Sequence, residues 1–122
     1  MPEPLVAISV RFIELLRPVL AQNGFETALA WELGEADRPR VRCLLHAGEA
    51  RLSPDFLESL PNLGLIAVMT AGYEGVDVPW CRARGIEVTY AGGVNADDVA
   101  DHAMGLLLAG LRDIHEIGRA HV

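Results

Sequence analysis

The sequence contains no lysine: its ten basic residues are all arginine, set against seventeen acidic residues. Without lysine the chain cannot supply the ammonium group of a P-loop, a Schiff-base nucleophile or the lysine of a receiver-type signalling domain. The resulting net charge of -7 repels nucleic acid from most of the surface. We therefore expect none of these three functions and no nucleic-acid partner.

Cysteine is scarce, and long hydrophobic runs are missing. Cys43 and Cys81 are the two cysteines, and both lie in apolar stretches where a thiol usually behaves as a small buried group, so we predict no disulfide. No apolar run approaches the ~20 residues that span a bilayer. The N-terminus lacks the basic start and apolar core of a signal peptide. We expect a soluble, cytoplasmic protein with no membrane partner.

Several sequence motifs of ligand sites are also absent. No two of the twelve glycines are separated by a single residue, so the dinucleotide fingerprint G-x-G-x-x-G is missing. The hydrolase motif G-x-S-x-G does not occur. Cys43 and His46 are three residues apart, which on a strand points them to opposite faces, and no second ligand pair accompanies them. We predict no metal site and no dinucleotide bound by this chain alone.

Five apolar segments rich in β-branched residues recur along the chain. They span residues 5–10, 25–30, 41–45, 65–69 and 86–90. Most are continuously apolar, which is typical of strands covered on both faces. Their spacing of about 15 to 25 residues leaves room for a crossover helix each time. The pattern predicts an α/β domain with a parallel five-stranded sheet flanked by helices.

Capping residues predict two short helices between these strands. Ser53-Pro54-Asp55 opens one that Pro61 closes. Asp77 caps another that stops at Gly85.

The other two connections are less regular. Apolar residues from Phe12 to Leu20 fall at helical spacing with Gly24 as a stop, and Pro18 either kinks or restarts the helix. The charged stretch 31–40 is expected to be a loop or a poorly formed helix.

The last element is predicted to be a long helix running from an N-cap at Asn95 to about Arg119. Its apolar positions occupy far more than one helical stripe, so it needs cover on more than one side. No further strand follows it. A doubly wound fold would continue here, so we expect the chain to be a fragment of a longer protein.

The segment Thr70–Asp77 is the most informative, because it follows a buried strand and leads into a helix. Ligands of open α/β sheets bind at the carboxyl ends of strands, where glycines let backbone N–H groups approach a small anion. This predicts a carboxylate site around Gly72. The alternative is a tight turn whose glycines adopt positive φ. His46-Ala47-Gly48-Glu49 occupies the equivalent place after the third strand, as the opposite lip of the crevice or as an ordinary connecting loop.

Taken together, these segments resemble the D-isomer-specific 2-hydroxyacid dehydrogenases, with the hydroxypyruvate and glyoxylate reductase branch closest. The resemblance rests on the run Leu63–Asp77, on Arg84–Thr89, and on Gly93-Val94-Asn95 followed by Val99-Ala100-Asp101-His102. It covers residues 41–117. Glutamate is common in the family where this chain has Asp101.

The resemblance implies a flavodoxin-like substrate-binding domain at 1–94 and a long interdomain and dimerisation helix at 95–122, with the Rossmann cofactor domain absent. Ala71, Gly72 and Tyr73 match the loop whose amides hold the substrate carboxylate. His46 and Ala47 match the facing loop, and Val99 matches a position near the nicotinamide.

The resemblance also implies that the parent protein is an NAD- or NADP-dependent oxidoreductase that reduces a small 2-oxo acid to the D-2-hydroxy acid and forms a homodimer through helix 95–119. The family's catalytic arginine, glutamate and histidine have no counterpart in these residues. We therefore expect the isolated chain to be inactive. The alternatives are a non-catalytic module that binds small carboxylates and an assembly module that pairs through its long helix.

Overall fold

A computed structural model describes residues 3–48, 50–93 and 96–111. The strands are β1 (Leu5–Ile8), β2 (Glu26–Leu29), β3 (Val41–His46), β4 (Leu65–Val68) and β5 (Glu87–Tyr90). The α-helices are α1 (Arg17–Gln22), α2 (Pro54–Glu58), α3 (Val78–Ala83) and α4 (Ala96–Leu111), and short 3-10 helices span Arg11–Leu16, Ala30–Glu32 and Arg38–Arg40.

The five strands form one sheet in the order β2-β1-β3-β4-β5, and every neighbouring pair is parallel. This is the flavodoxin-like strand order, so the predicted fold class is confirmed. From β1 the chain first adds β2 on one side, then returns to add β3, β4 and β5 on the other. The order therefore reverses between β1 and β3, and open α/β sheets bind ligands at this switch point, outside the carboxyl ends of the strands.

Two hydrophobic clusters cover the two faces of the sheet. Ala7 and Leu44 belong to one cluster, whereas their chain neighbours Ile8 and Leu45 belong to the other. Successive side chains of a strand point to opposite faces, so this alternation assigns each cluster to its own face. Burial on both faces explains why the strands are continuously apolar rather than alternating.

The predicted helix boundaries are confirmed where caps define them. The Ser53 hydroxyl accepts a hydrogen bond from the Phe56 N–H at 3.2 Å, and an Asp77 carboxylate oxygen accepts one from the Trp80 N–H at 3.1 Å. Gly24 and Gly85 follow α1 and α3 with φ of 85° and 74°, the left-handed conformation that glycine adopts without strain.

The first crossover is two helices rather than one. A 3-10 helix over Arg11–Leu16 leads directly into α1, and Pro18 lies in the first turn of α1. The missing N–H of a proline costs nothing there, so Pro18 restarts the helix. Residues 31–40 form two short 3-10 turns, as expected for a poorly formed helix.

The contacts of the chain divide it into two compact units, Met1–Gly92 and Gly93–Val122. No described residue of α4 is buried. Its large apolar side chains, each more than half exposed, are Val99, Met104, Leu106, Leu107, Leu108 and Leu111. The predicted cap Asn95 and the predicted continuation to Arg119 lie outside the described residues. Within the described part of the chain, no helix is both long and apolar enough to cross a membrane.

Candidate site at the carboxyl edge of the sheet

Three loops meet at the carboxyl edge of the sheet because β1, β3 and β4 are parallel neighbours. They are the loop from Ser9 to Val10, the loop from Ala47 to Leu52, and the loop from Met69 to Asp77. The backbone of Met69 still follows the sheet, since its N–H donates to the His46 carbonyl oxygen at 2.7 Å. Beyond that point backbone hydrogen bonds also join the last two loops to each other.

The loops after β3 and β4 interlock through two glycines. The Gly75 N–H donates to the Gly48 carbonyl oxygen at 2.5 Å, and the Leu52 N–H donates to the Gly75 carbonyl oxygen at 3.0 Å. A Cβ added to Gly48 would overlap the carbonyl oxygen of Gly72, and one added to Gly75 would overlap that of Ala50. The glycines are therefore required by the close approach of two backbones.

The alternative reading, a tight turn with positive φ, does not apply to these glycines. Among the described residues, positive φ occurs at Gly24, Gly85 and Gly93, none of which lies in either loop.

Thr70 links the same two loops through its side chain. Its hydroxyl accepts a hydrogen bond from the Gly48 N–H at 2.9 Å and donates one to the Gly72 carbonyl oxygen at 3.0 Å. Sequence reasoning did not single out this residue. The available signal was a hydroxyl side chain placed directly after a buried strand, which can satisfy loop backbone groups that no strand pairs.

The backbone N–H groups of Ala71, Gly72, Tyr73 and Glu74 donate to no acceptor among the described residues. Consecutive unpaired N–H groups in a loop are the usual protein site for a small anion. The carbonyl oxygen of Gly72, in contrast, is already bonded by Thr70. The N–H groups of this loop are therefore available to a ligand, while the Gly72 carbonyl oxygen, which could repel an anion, is already bonded to Thr70.

The carboxylate of Glu74 lies against this loop. A Cβ added to Gly72 would be 2.6 Å from Oε2 of Glu74. An anion held by the amides of residues 71–74 would therefore lie near the negative charge of Glu74, and the repulsion between the two weakens its binding.

Tyr73 extends from the loop to the end of β5. Its ring centroid lies 4.8 Å from that of Tyr90, and the two planes are tilted by 53°, a favourable arrangement for an aromatic pair. About half of each side chain is exposed.

His46 lies at the end of β3 but not on the surface of the crevice. Its side chain is only 1% exposed. Nε2 is 2.6 Å from the Ala50 carbonyl oxygen, and Nδ1 is 2.6 Å from the Ser9 hydroxyl. A carbonyl can only accept, so Nε2 carries the proton. The Ser9 hydroxyl, which has a single proton, lies within hydrogen-bond distance of both Nδ1 and the Leu45 carbonyl oxygen, which is 2.9 Å from it. The His46 side chain thus fixes the loop after β3 from beneath.

Burial is the main reason that the pKa of His46 is lowered below its usual value, and the hydrogen bond to Ala50 opposes this shift in part. Burial likewise raises the pKa of Cys43 and of Cys81. Both thiols are free among the described residues, and neutral buried thiols are unreactive. That part of the chain also contains no group of three or more metal-binding side chains.

A cavity of about 540 Å³ lies between the three loops. The residues that line it are Val10, Phe12, Ala47, Ala50, Thr70, Gly72 and Glu74. Two of the residues predicted from sequence, Ala47 and Gly72, thus lie on one cavity. Ala71 and Tyr73 line a separate depression on the other side of Gly72. Val99 belongs to α4, where its side chain is 58% exposed.

The model of the D-isomer specific 2-hydroxyacid dehydrogenase family, catalytic domain, matches residues 13–115. The chain belongs to this family. The match covers the loops after β3 and β4 and the whole of α4 as the structure describes it.

Individual members of the 2-hydroxyacid dehydrogenase family agree with this assignment. The chain is 37% identical over 74 residues to a glyoxylate/hydroxypyruvate reductase of Arabidopsis thaliana, a match that covers 61% of this chain and 23% of that enzyme. A solved 2-hydroxyacid dehydrogenase from Ketogulonicigenium vulgare superposes with a TM-score of 0.78 at 29% identity, covering 98% of this chain and 40% of that one.

An NADPH-dependent glyoxylate/hydroxypyruvate reductase from Sinorhizobium meliloti, solved with NADP and malonate, superposes with a TM-score of 0.71 at 30% identity. That match covers 88% of this chain and 34% of the reductase. The chain thus spans well under half the length of these relatives.

The residues present do not fit a dinucleotide. The chain has no G-x-G-x-x-G, and the segment that follows β1 is Ser9-Val10-Arg11-Phe12, which contains no glycine to bring a backbone close to a pyrophosphate.

Proposed function

We propose that this chain is the substrate-binding part of an NAD(P)-dependent D-2-hydroxyacid dehydrogenase that reduces a small 2-oxo acid such as glyoxylate or hydroxypyruvate. Family membership supports the reaction class, and the relatives named as glyoxylate/hydroxypyruvate reductases support the substrate. The single observation that carries the proposal is the row of amides from Ala71 to Glu74, at the carboxyl edge of the sheet, which donate to no acceptor in the described part of the chain.

In this proposal the substrate carboxylate accepts hydrogen bonds from the N–H groups of Ala71, Gly72 and Tyr73. The loop of His46 and Ala47 forms the facing wall, with His46 acting through its backbone and through its support of Ala50. The interlock of Gly48 with Gly75 holds the two walls at a fixed separation, so the donors are oriented before the ligand arrives.

The cofactor, NAD or NADP, is held outside this chain, and Val99 is the residue we place beside its nicotinamide. Residues 1–94 then form the substrate-binding domain, and residues 95–122 form the helix that leads toward the cofactor domain. No group of this chain is assigned to hydride or proton transfer. The isolated chain should therefore bind substrate weakly and turn nothing over.

A titration followed by amide resonances tests the proposal. Malonate, pyruvate or glyoxylate added to the 15N-labelled chain should shift the resonances of Ala71, Gly72 and Tyr73, with millimolar dissociation constants. A spectrophotometric assay of the same chain with NADH or NADPH and glyoxylate should show no oxidation. Shifts confined to other residues, or genuine turnover, would contradict the assignment.

A non-catalytic carboxylate-binding module is the second candidate, favoured by the absence of a dinucleotide loop from the chain. The same titration separates the two functions. A self-sufficient sensor should bind its carboxylate at micromolar concentration, whereas one wall of a cleft should not.

A further inference from the structure

The cavity beside Gly72 combines a polar wall and an apolar wall. Thr70 and Gly72, from the loop after β4, provide backbone and hydroxyl groups. Hydrocarbon surface comes from Val10, from Phe12 in the 3-10 helix that follows it, and from Ala47 and Ala50 in the loop after β3. Both walls lie at the carboxyl edge of the sheet, where β1, β3 and β4 are neighbours and the β1/β3 switch point is located.

The polar wall offers only one kind of contact to a ligand. The Thr70 hydroxyl is already bonded at both Gly48 and Gly72, so it has little capacity left for a substrate hydroxyl. The Gly72 amide lies where this cavity borders the depression lined by Ala71 and Tyr73, and as a donor without an acceptor among the described residues it suits a carboxylate. The rest of the ligand must therefore lie against the apolar wall or extend into solvent.

The cavity also lacks a positive charge. No arginine or histidine is among the described residues that line it. Arg11 precedes Phe12 in sequence, but its guanidinium stacks on the Trp31 ring, 4.8 Å from the centroid. Among the described lining residues, Glu74 is the one that carries a charge. A second anionic group on the ligand would have no partner and would be repelled by Glu74.

From this geometry we propose that the site favours 2-oxo acids with an uncharged substituent, a class that includes glyoxylate and hydroxypyruvate, over those with a second acidic group. An apolar substituent gains further affinity on the apolar wall, and Phe12 and Glu74 determine this preference. The proposal rests on the proposed function, because it uses the Gly72 amides as the carboxylate site. Phe12 attracts the apolar substituent by covering it, and Glu74 excludes a second acidic group. At about 540 Å³ the cavity has room for a branched or aromatic substituent.

Three acids that share one carboxylate and one 2-oxo group test the proposal on the unmodified chain. They are pyruvate, 4-methyl-2-oxopentanoate with an apolar branch, and 2-oxoglutarate with a second carboxylate. Amide-resonance titrations should give an affinity for 4-methyl-2-oxopentanoate about 10-fold higher than for pyruvate, the lower end of the range for one methylene group in a hydrophobic pocket. The affinity for 2-oxoglutarate should be lower than for pyruvate.

Variants of Phe12 and Glu74 test whether these two residues determine the ligand preference. Phe12→Ala should reduce the ratio of the affinities for 4-methyl-2-oxopentanoate and pyruvate several-fold. Phe25→Ala is the matched control: Phe25 is exposed to a similar degree, 52% against 58%, but precedes β2 at the opposite edge of the sheet. Glu74→Gln should raise the affinity for 2-oxoglutarate several-fold, whereas the exposed Glu35→Gln, with the same change in net charge, should not.

The outcomes separate this inference from the proposed function. Equal affinities for the three acids, or an unchanged ratio in the Phe12 variant, would overturn the substrate preference while leaving the carboxylate site intact. If none of the acids shifts the Ala71–Tyr73 resonances, both proposals fail. Should Phe12→Ala not fold, the ligand series on the unmodified chain decides the question by itself.

Discussion

The Ser9 hydroxyl lies 2.6 Å from Nδ1 of His46, and this contact ties the end of β1 to the end of β3 beneath the candidate site. The other ring nitrogen reaches the Ala50 carbonyl oxygen. One buried imidazole therefore connects two strand ends and the loop that forms one wall of the crevice.

The lowered pKa of His46 makes the stability of the fold depend on pH. The unfolded chain takes up the proton first, at a pKa of about 6.5. The contribution of His46 is therefore complete above about pH 6.5 and is lost as the pH falls from there toward the lowered pKa of the folded state. His46→Gln should lose less stability than the unmodified chain between pH 7.5 and pH 5.5.

Urea unfolding across this pH range measures the effect. His102→Gln, at an exposed position on α4, is the control and should keep the pH dependence of the unmodified chain. An identical pH dependence in His46→Gln would show that another group is responsible.

Because the two loops are in backbone contact, replacing Gly48 by alanine should lower the stability of the fold much more than replacing Gly34 by alanine. Gly48→Ala should destabilise the fold by about 3 kcal/mol, because the new methyl group overlaps the backbone of Gly72 and the loops must separate. It should also abolish the carboxylate-induced shifts at Gly72. Gly34→Ala is the control, since nothing lies within 4 Å of its Cβ position and it lacks positive φ. Thermal unfolding that shows equal stability for the two variants would refute the interlock.

Replacing Thr70 by valine should loosen the contact between the loops after β3 and β4, because valine has nearly the size of threonine but no hydroxyl group. The Gly48 N–H and the Gly72 carbonyl both lose a partner, at a cost of about 1–3 kcal/mol. The Gly48 amide should exchange with solvent faster, and Thr70→Ser should restore most of its protection. Thr89→Val, at an exposed position on β5, serves as the comparison. Unchanged exchange at Gly48 in Thr70→Val would contradict the assigned role.

The apolar side chains of α4 lead us to expect a homodimer through this helix. Leu107→Glu combined with Leu111→Glu places two charges one helical turn apart and should give a monomer by light scattering at micromolar concentration. Leu15→Glu combined with Phe25→Glu replaces two apolar residues outside α4 that are also more than half exposed, and this variant should remain dimeric. A monomeric unmodified chain would exclude the dimer.

Local signals in the sequence predicted most of the fold. The five strands, the caps at Ser53 and Asp77 and the stops at Gly24 and Gly85 depend on neighbouring residues, so they could be identified from pattern alone. Strands β1, β2 and β4 end one or two residues earlier than predicted, β3 ends one residue later, and β5 ends where predicted. Strand β1 stops at Ile8, although the Ser9 N–H still bonds to Leu45.

The candidate site was predicted less completely, because its contacts join residues distant in sequence. Gly48 and Gly75 are 27 positions apart, and nothing near either one reveals that their backbones touch. His46 was predicted on the facing loop, but strand alternation could not show that both ring nitrogens would find partners beneath the surface. The roles of the Gly72 amides and of Val99 stay predictions.

The contact between Gly48 and Gly75 also limits how this region can be re-engineered. Each loop is shaped by the backbone of the other, so a loop transplanted singly from a relative would meet a surface that it does not match. A functional graft must therefore replace the loops after β3 and β4 at the same time and keep Thr70, which links them.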